Sequence, residues 1–125
     1  MTGYTWDHVQ LRSAAPEDTA AWFARHFGAE ILSGPGRLTI RLDGVDIFVA
    51  RVTQGDGVLP PPAHPHRGLD HFGLVVPDLD AAVAELTGAG VELAEPVKTL
   101  RPGVRGCYVL GPDGIWIELL ERKTG

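Results

Sequence analysis

Three side chains in this 125-residue chain could do chemistry together: His8, His71 and Glu118. Glu118 lies in Asp113-Gly114-Ile115-Trp116-Ile117-Glu118-Leu119-Leu120, which reads as a tight turn leading into a strand. Strand alternation puts Ile115, Ile117 and Leu119 on one face, and Trp116, Glu118 and Leu120 on the other. A carboxylate among such neighbours needs a partner, because an unpaired buried charge is costly. His8 and His71 are the candidate partners, each opening an earlier strand behind an aspartate. Two imidazoles and one carboxylate form a donor set for a divalent metal with open coordination positions. The set suits iron(II), the favoured ion, and is compatible with manganese, zinc, nickel or cobalt. Asp7 and Asp70 alternate to the opposite strand face and read as turn or edge residues. A single strand histidine or glutamate is more often an ordinary core or edge residue; the repeated Asp-His pair favours metal.

The elements that must position these residues form a repeat. Residues 6–11 read as a strand, and Pro16-Glu17-Asp18 opens a helix. Trp22, Phe23, His26 and Phe27 recur at helical spacing before the stop at Gly28. Short strands follow at 29–32, 37–42 and 45–52, with Asp43-Gly44 as a hairpin turn. After a glycine- and proline-rich linker the pattern returns. Leu69-Asp70-His71-Phe72 echoes Trp6-Asp7-His8-Val9, and a helix over 80–86 echoes the first. Strands are expected at 90–93 and 104–110, and Asp113-Gly114-Ile115-Trp116-Ile117-Glu118 echoes Asp43-Gly44-Val45-Asp46-Ile47-Phe48. The expected fold is α+β: two tandem β-α-β-β-β modules forming one domain with a cleft. Module one spans about 4–53, the linker 54–68 and module two 69–122. Helices would cover one face of each sheet and leave the other to line the cleft. The position in module one that matches Glu118 holds Phe48, so Phe48 and Trp116 are expected to line the substrate cleft.

Composition bounds the alternatives. Mild net negative charge with scattered basic residues argues against a nucleic-acid surface and gives no membrane-binding patch. No apolar run approaches the length of a membrane span, and the N-terminus lacks the pattern of a signal peptide. A cytoplasmic protein is the expectation. Cys107 reads as a small core residue. His64 and His66 fall in the linker and read as part of a solvated, proline-stiffened loop. Their functional reading is a proton donor or substrate contact over the cleft. His26 reads as a packing or surface residue.

The paired Asp-His strand starts, the two modules and the ending Gly-Pro-Asp-Gly-Ile-Trp-Ile-Glu-Leu-Leu-Glu resemble the vicinal oxygen chelate superfamily. That group includes glyoxalase I, methylmalonyl-CoA epimerase, extradiol dioxygenases, fosfomycin-modifying enzymes and bleomycin resistance proteins. The resemblance implies metal ligands at His8, His71 and Glu118, and a small substrate that chelates the metal through two neighbouring oxygens. It also implies a homodimer. The chain departs from the glyoxalase I pattern at Phe48, where that enzyme carries a glutamate that ligates metal and takes part in proton transfer. Asp46, on the same strand face, could replace it only if the strand slipped. A three-ligand set with open sites resembles the extradiol dioxygenases, whose signature tyrosine matches Tyr108, a candidate catalytic residue. Two parts of that signature are missing: Gly111 replaces a polar residue, and no histidine lies shortly upstream of Tyr108. The leading expectation is therefore a metal-dependent enzyme leaning toward dioxygen chemistry. The alternatives are a glyoxalase-like lyase or isomerase and a metal-free antibiotic-binding protein.

Overall fold

The structure, a computed structural model, describes residues 3–123. The chain divides into two compact units, one running to Leu59 and the other beginning at Pro60.

The first unit contains β1 (His8–Ser13), α1 (Pro16–Phe27), β2 (Glu30–Gly34), β3 (Arg37–Leu42) and β4 (Val45–Arg51). Helix α1 starts on Pro16, whose missing N–H would be unsatisfied there in any case, and carries Glu17 and Asp18 in its first turn. It stops at Gly28, whose φ of 70° admits a left-handed cap; the Gly28 N–H donates to the Ala24 carbonyl at 3.1 Å. The sheet order is β1-β4-β3-β2, with β1 parallel to β4 and the other pairs antiparallel. Asp43 and Gly44 both have positive φ, as a two-residue hairpin turn of this hand requires. Ile40, Ile47 and Val49 are buried, as are Ala20 and Phe23 of the helix, so one sheet face carries the core. Each large apolar side chain so buried contributes about 1.5–3 kcal/mol. The opposite face carries His8, Arg37 and Phe48.

The second unit repeats the plan with β5 (Phe72–Val75), α2 (Leu79–Gly88), β6 (Leu93–Arg101), β7 (Val104–Leu110) and β8 (Trp116–Arg122). Its order is β5-β8-β7-β6, again with one parallel pair, β5 with β8. Ile117, Leu119 and Glu121 of β8 are buried, while Trp116, Glu118 and Leu120 alternate to the other face. Glu121 accepts the Leu79 N–H at 2.8 Å, capping the start of α2 from the neighbouring strand. Asp78 caps the same helix end by accepting the Ala81 N–H at 3.1 Å.

Two expected elements move. The short strand expected at 90–93 is instead the nine-residue β6, which begins at Leu93. It contains Pro96, which has no N–H for a ladder, and the pairing with β7 shifts register between Glu95 and Lys98. An edge strand tolerates this break. The strand expected from residue 69 begins at Phe72, so Asp70 and His71 precede it.

Candidate metal centre

In the first unit, His8 Nδ1 lies 2.6 Å from Oδ2 of Asp7. An ionised carboxylate only accepts, so Nδ1 is the donor, and in the neutral form of the ring Nε2 carries the lone pair. The imidazole lies flat on Phe48, with ring centroids 4.0 Å apart and planes 22° from parallel. The Arg37 guanidinium lies 3.7 Å from the same ring's centroid. Phe48 is consequently only 9 % exposed. Asp46 accepts from Arg41 Nε at 2.7 Å and from Nη2 at 3.0 Å. That hydrogen bonding holds its carboxyl below the usual carboxylate range. Already engaged in this way, it is a poor stand-in for a carboxylate at the Phe48 position.

In the second unit, His71 repeats the arrangement: Nδ1 donates to Asp70 Oδ2 at 2.6 Å. Its Nε2 then faces Glu118 Oε1 at 3.5 Å and the Tyr108 hydroxyl at 3.5 Å. In the neutral form of the ring with its proton on Nδ1, Nε2 and Oε1 are two lone-pair-bearing atoms turned toward each other. Such a pair fits a shared cation. Gly73 stands opposite Glu118 on the ladder, and a Cβ there would come 3.5 Å from Oε1, within ordinary contact distance. Tyr108 has its phenol pushed up, first by burial and then by the Glu118 charge, so it stays protonated and can donate.

The register makes the two units equivalent position by position. His8 stands two residues before Gln10, which pairs with Phe48; His71 stands two residues before Gly73, which pairs with Glu118. On the next strand Thr39 and Tyr108 hold the matching place. Phe48 and Glu118 thus occupy one position of a duplicated ladder.

Asp7 and Asp70 are exposed residues at the strand edges, as expected, though not through strand alternation. Both precede their strands, so alternation does not govern them, and each fixes the ring of the histidine beside it. The repeated Asp-His pair was the signal. His64 departs from the solvated loop expected for it. Its ring stacks on Trp116 at 3.6 Å and 11°, and Nε2 lies 2.9 Å from Asp70 Oδ1. Asp70 therefore faces two imidazoles, and its carboxyl is lowered, first by the hydrogen bond from His71. Trp116, expected to line a substrate cleft, has one face covered by this stack. His66 Nδ1 instead meets the Arg67 carbonyl at 2.9 Å, and His26 packs edge-on to Trp22. Among the described residues no group of three or more His, Cys, Asp or Glu side chains is arranged to hold a metal ion. His8 lies in the first unit, and His71 with Glu118 in the second.

Residues 5–119 match the family model of the Glyoxalase/Bleomycin resistance protein/Dioxygenase superfamily, and the chain belongs to that superfamily. Among individual relatives, it is 28% identical over 145 residues to glyoxalase I of Saccharomyces cerevisiae, an alignment using 91% of this chain and 44% of that protein. The chain thus spans less than half the length of that relative. A glyoxalase family protein from Enterococcus faecalis superposes with a TM-score of 0.80 at 22% identity, covering 97% of this chain and 100% of that one. One from Bacillus cereus gives 0.79 at 19% identity, covering 99% of both chains. These structural likenesses show the fold. No helix among the described residues is long and apolar enough to cross a membrane.

Proposed function

We propose that the chain is a metal-dependent enzyme acting on a small substrate with two neighbouring oxygens, its metal held by His8, His71 and Glu118. The observation that carries this reading is the pair of aspartates. Each clamps one histidine through Nδ1 at 2.6 Å, which fixes the ring and leaves Nε2 as the ligand nitrogen. A protein that only sequestered a drug would have no need of that device twice.

A divalent metal so held would supply Lewis-acid polarisation of substrate oxygens and, as iron(II), the electron that dioxygen chemistry needs. The chain's own residues would do the rest. Asp7 and Asp70 hold the imidazoles. Tyr108, kept protonated, donates a hydrogen bond toward the His71 and Glu118 edge and can deliver a proton there. Phe48 supplies no base at the position where glyoxalase I carries a glutamate, which favours dioxygen chemistry. The likeness to yeast glyoxalase I favours the second reading, a lyase or isomerase, and His64 beside Asp70 is the base it would use.

The test is metal content of protein purified without added metal, followed by oxygen uptake with catechols by anaerobically reconstituted iron(II) protein. Uptake that falls in Tyr108→Phe supports the dioxygenase reading. An inert iron form, with turnover of a 2-oxoaldehyde thiol adduct by a nickel, cobalt or zinc form, selects the lyase. No metal bound by wild type, or equal metal affinity in His71→Ala, overturns the metal centre.

A further inference from the structure

The stack His8–Phe48–Arg37 places a cation against the residue that the ladder equivalence matches to Glu118 in the other unit. The imidazole covers one contact surface of the Phe48 ring, and the guanidinium lies against the ring as well. Phe48 thus holds Arg37 one aromatic ring away from a candidate metal ligand. Three other arginines are neutralised. Arg41 is bound by Asp46, Arg51 by Glu17, and Arg105 by Asp80 and Glu121. Among the described residues no carboxylate lies within ion-pair distance of Arg37, and its side chain is exposed. On the same sheet face Arg12 stands level with Ala50 across β1 and β4, adding positive charge beside a small side chain.

We propose that Arg37, held against Phe48, is the specificity-determining residue of the site and takes a carboxylate or similar anionic group of the substrate. The substrate class is thereby a vicinal-dioxygen compound that carries a separate anionic substituent. The planar fork of a guanidinium suits a carboxylate, which it can bind through two parallel N–H donors. This inference rests on the proposed function for the vicinal oxygens, but the anion contact can be measured apart from them.

Three probes separate the contributions: catechol, 3,4-dihydroxybenzoate and benzoate, each titrated calorimetrically into zinc-loaded wild type, Arg37→Gln and Arg37→Lys. Thermal melts check that each variant is folded. The expected result is that wild type prefers dihydroxybenzoate over catechol on the order of tenfold or more, a charged hydrogen bond's worth. Arg37→Gln should abolish the preference and leave catechol binding unchanged, and Arg37→Lys should restore part of it. Equal affinity for catechol and dihydroxybenzoate in wild type, or a preference that survives Arg37→Gln, overturns the anion contact while chelation stands. If catechol fails to bind and benzoate binding is lost in Arg37→Gln, the chelating function falls and the anion site stands.

Discussion

His8 lies flat against Phe48, 4.0 Å between centroids, so a candidate metal ligand is packed on the residue that replaces a carboxylate. Phe48→Ala removes that platform. It is expected to destabilise the fold by about 3 kcal/mol, at the low end for a buried phenylalanine because polar groups cover its ring. Urea unfolding measures it, and a loss under about 1 kcal/mol would show that the ring is not core.

Phe48→Glu puts a carboxylate beside both His8 and Arg37. Arg37 should compete for it, so the single substitution tightens metal binding less than the pair Phe48→Glu/Arg37→Gln. Chelator-competition titrations compare the two. Identical metal affinities in wild type, single and double variants would argue that this position is not a donor position.

Asp70→Ala frees His71 to rotate and to carry its proton on either nitrogen. Metal affinity is expected to fall by about 10–100-fold, as for other carboxylates behind a ligating histidine. In metal-free protein, ring nitrogen shifts of His71 should move from a single Nδ1-protonated form to a tautomer mixture. Shifts that stay at the wild-type values would remove Asp70 from the role given to it.

Glu121 sets an acid limit on the second unit. Its carboxyl is lowered, first by the Leu79 N–H and then by Arg105. Because the folded value lies below the unfolded one, its stabilisation is full above the ordinary carboxylate range and is lost as pH falls through the folded value. Glu121→Gln should be less stable than wild type at neutral pH, and the gap should close on acidification. Melting curves from neutral pH down to pH about 3 check this; a gap independent of pH would contradict it.

Cys107 is 2 % exposed, and burial pushes its thiol up. It should be unreactive toward a disulfide reagent in the native protein and react fully in denaturant. Fast native labelling would show that β7 opens readily.

Much of this was legible in the sequence because duplication repeats its signals. Asp-His pairs, a helix after each, and Asp-Gly turns before the last strands fixed the modules and the Phe48–Glu118 match. Alternation correctly put Glu118 and Trp116 on one face. What stayed hidden depends on long-range placement. Nothing local says that His64 will fold back onto Trp116, or that Arg37 will reach over to Phe48 on the neighbouring strand. β6 starts later than expected and runs through Pro96, which is tolerated at an edge position that only the sheet order reveals. Asp7 and Asp70 were placed at the strand edges, but their grip on the adjacent imidazoles lay outside what alternation can show.

In each unit the histidine-bearing end of the chain joins the sheet only through the unit's final strand, β1 through β4 and β5 through β8. Closing that parallel pair brings together segments separated by nearly the whole unit, the kind of non-local step that folding completes slowly. During synthesis His8 emerges early yet hangs on an unpartnered segment until β4 is made. The ordering of His71 against Glu118 likewise waits for β8. The geometry of the candidate donors is thus a late product of folding, and a nascent or truncated chain carries those residues without the arrangement.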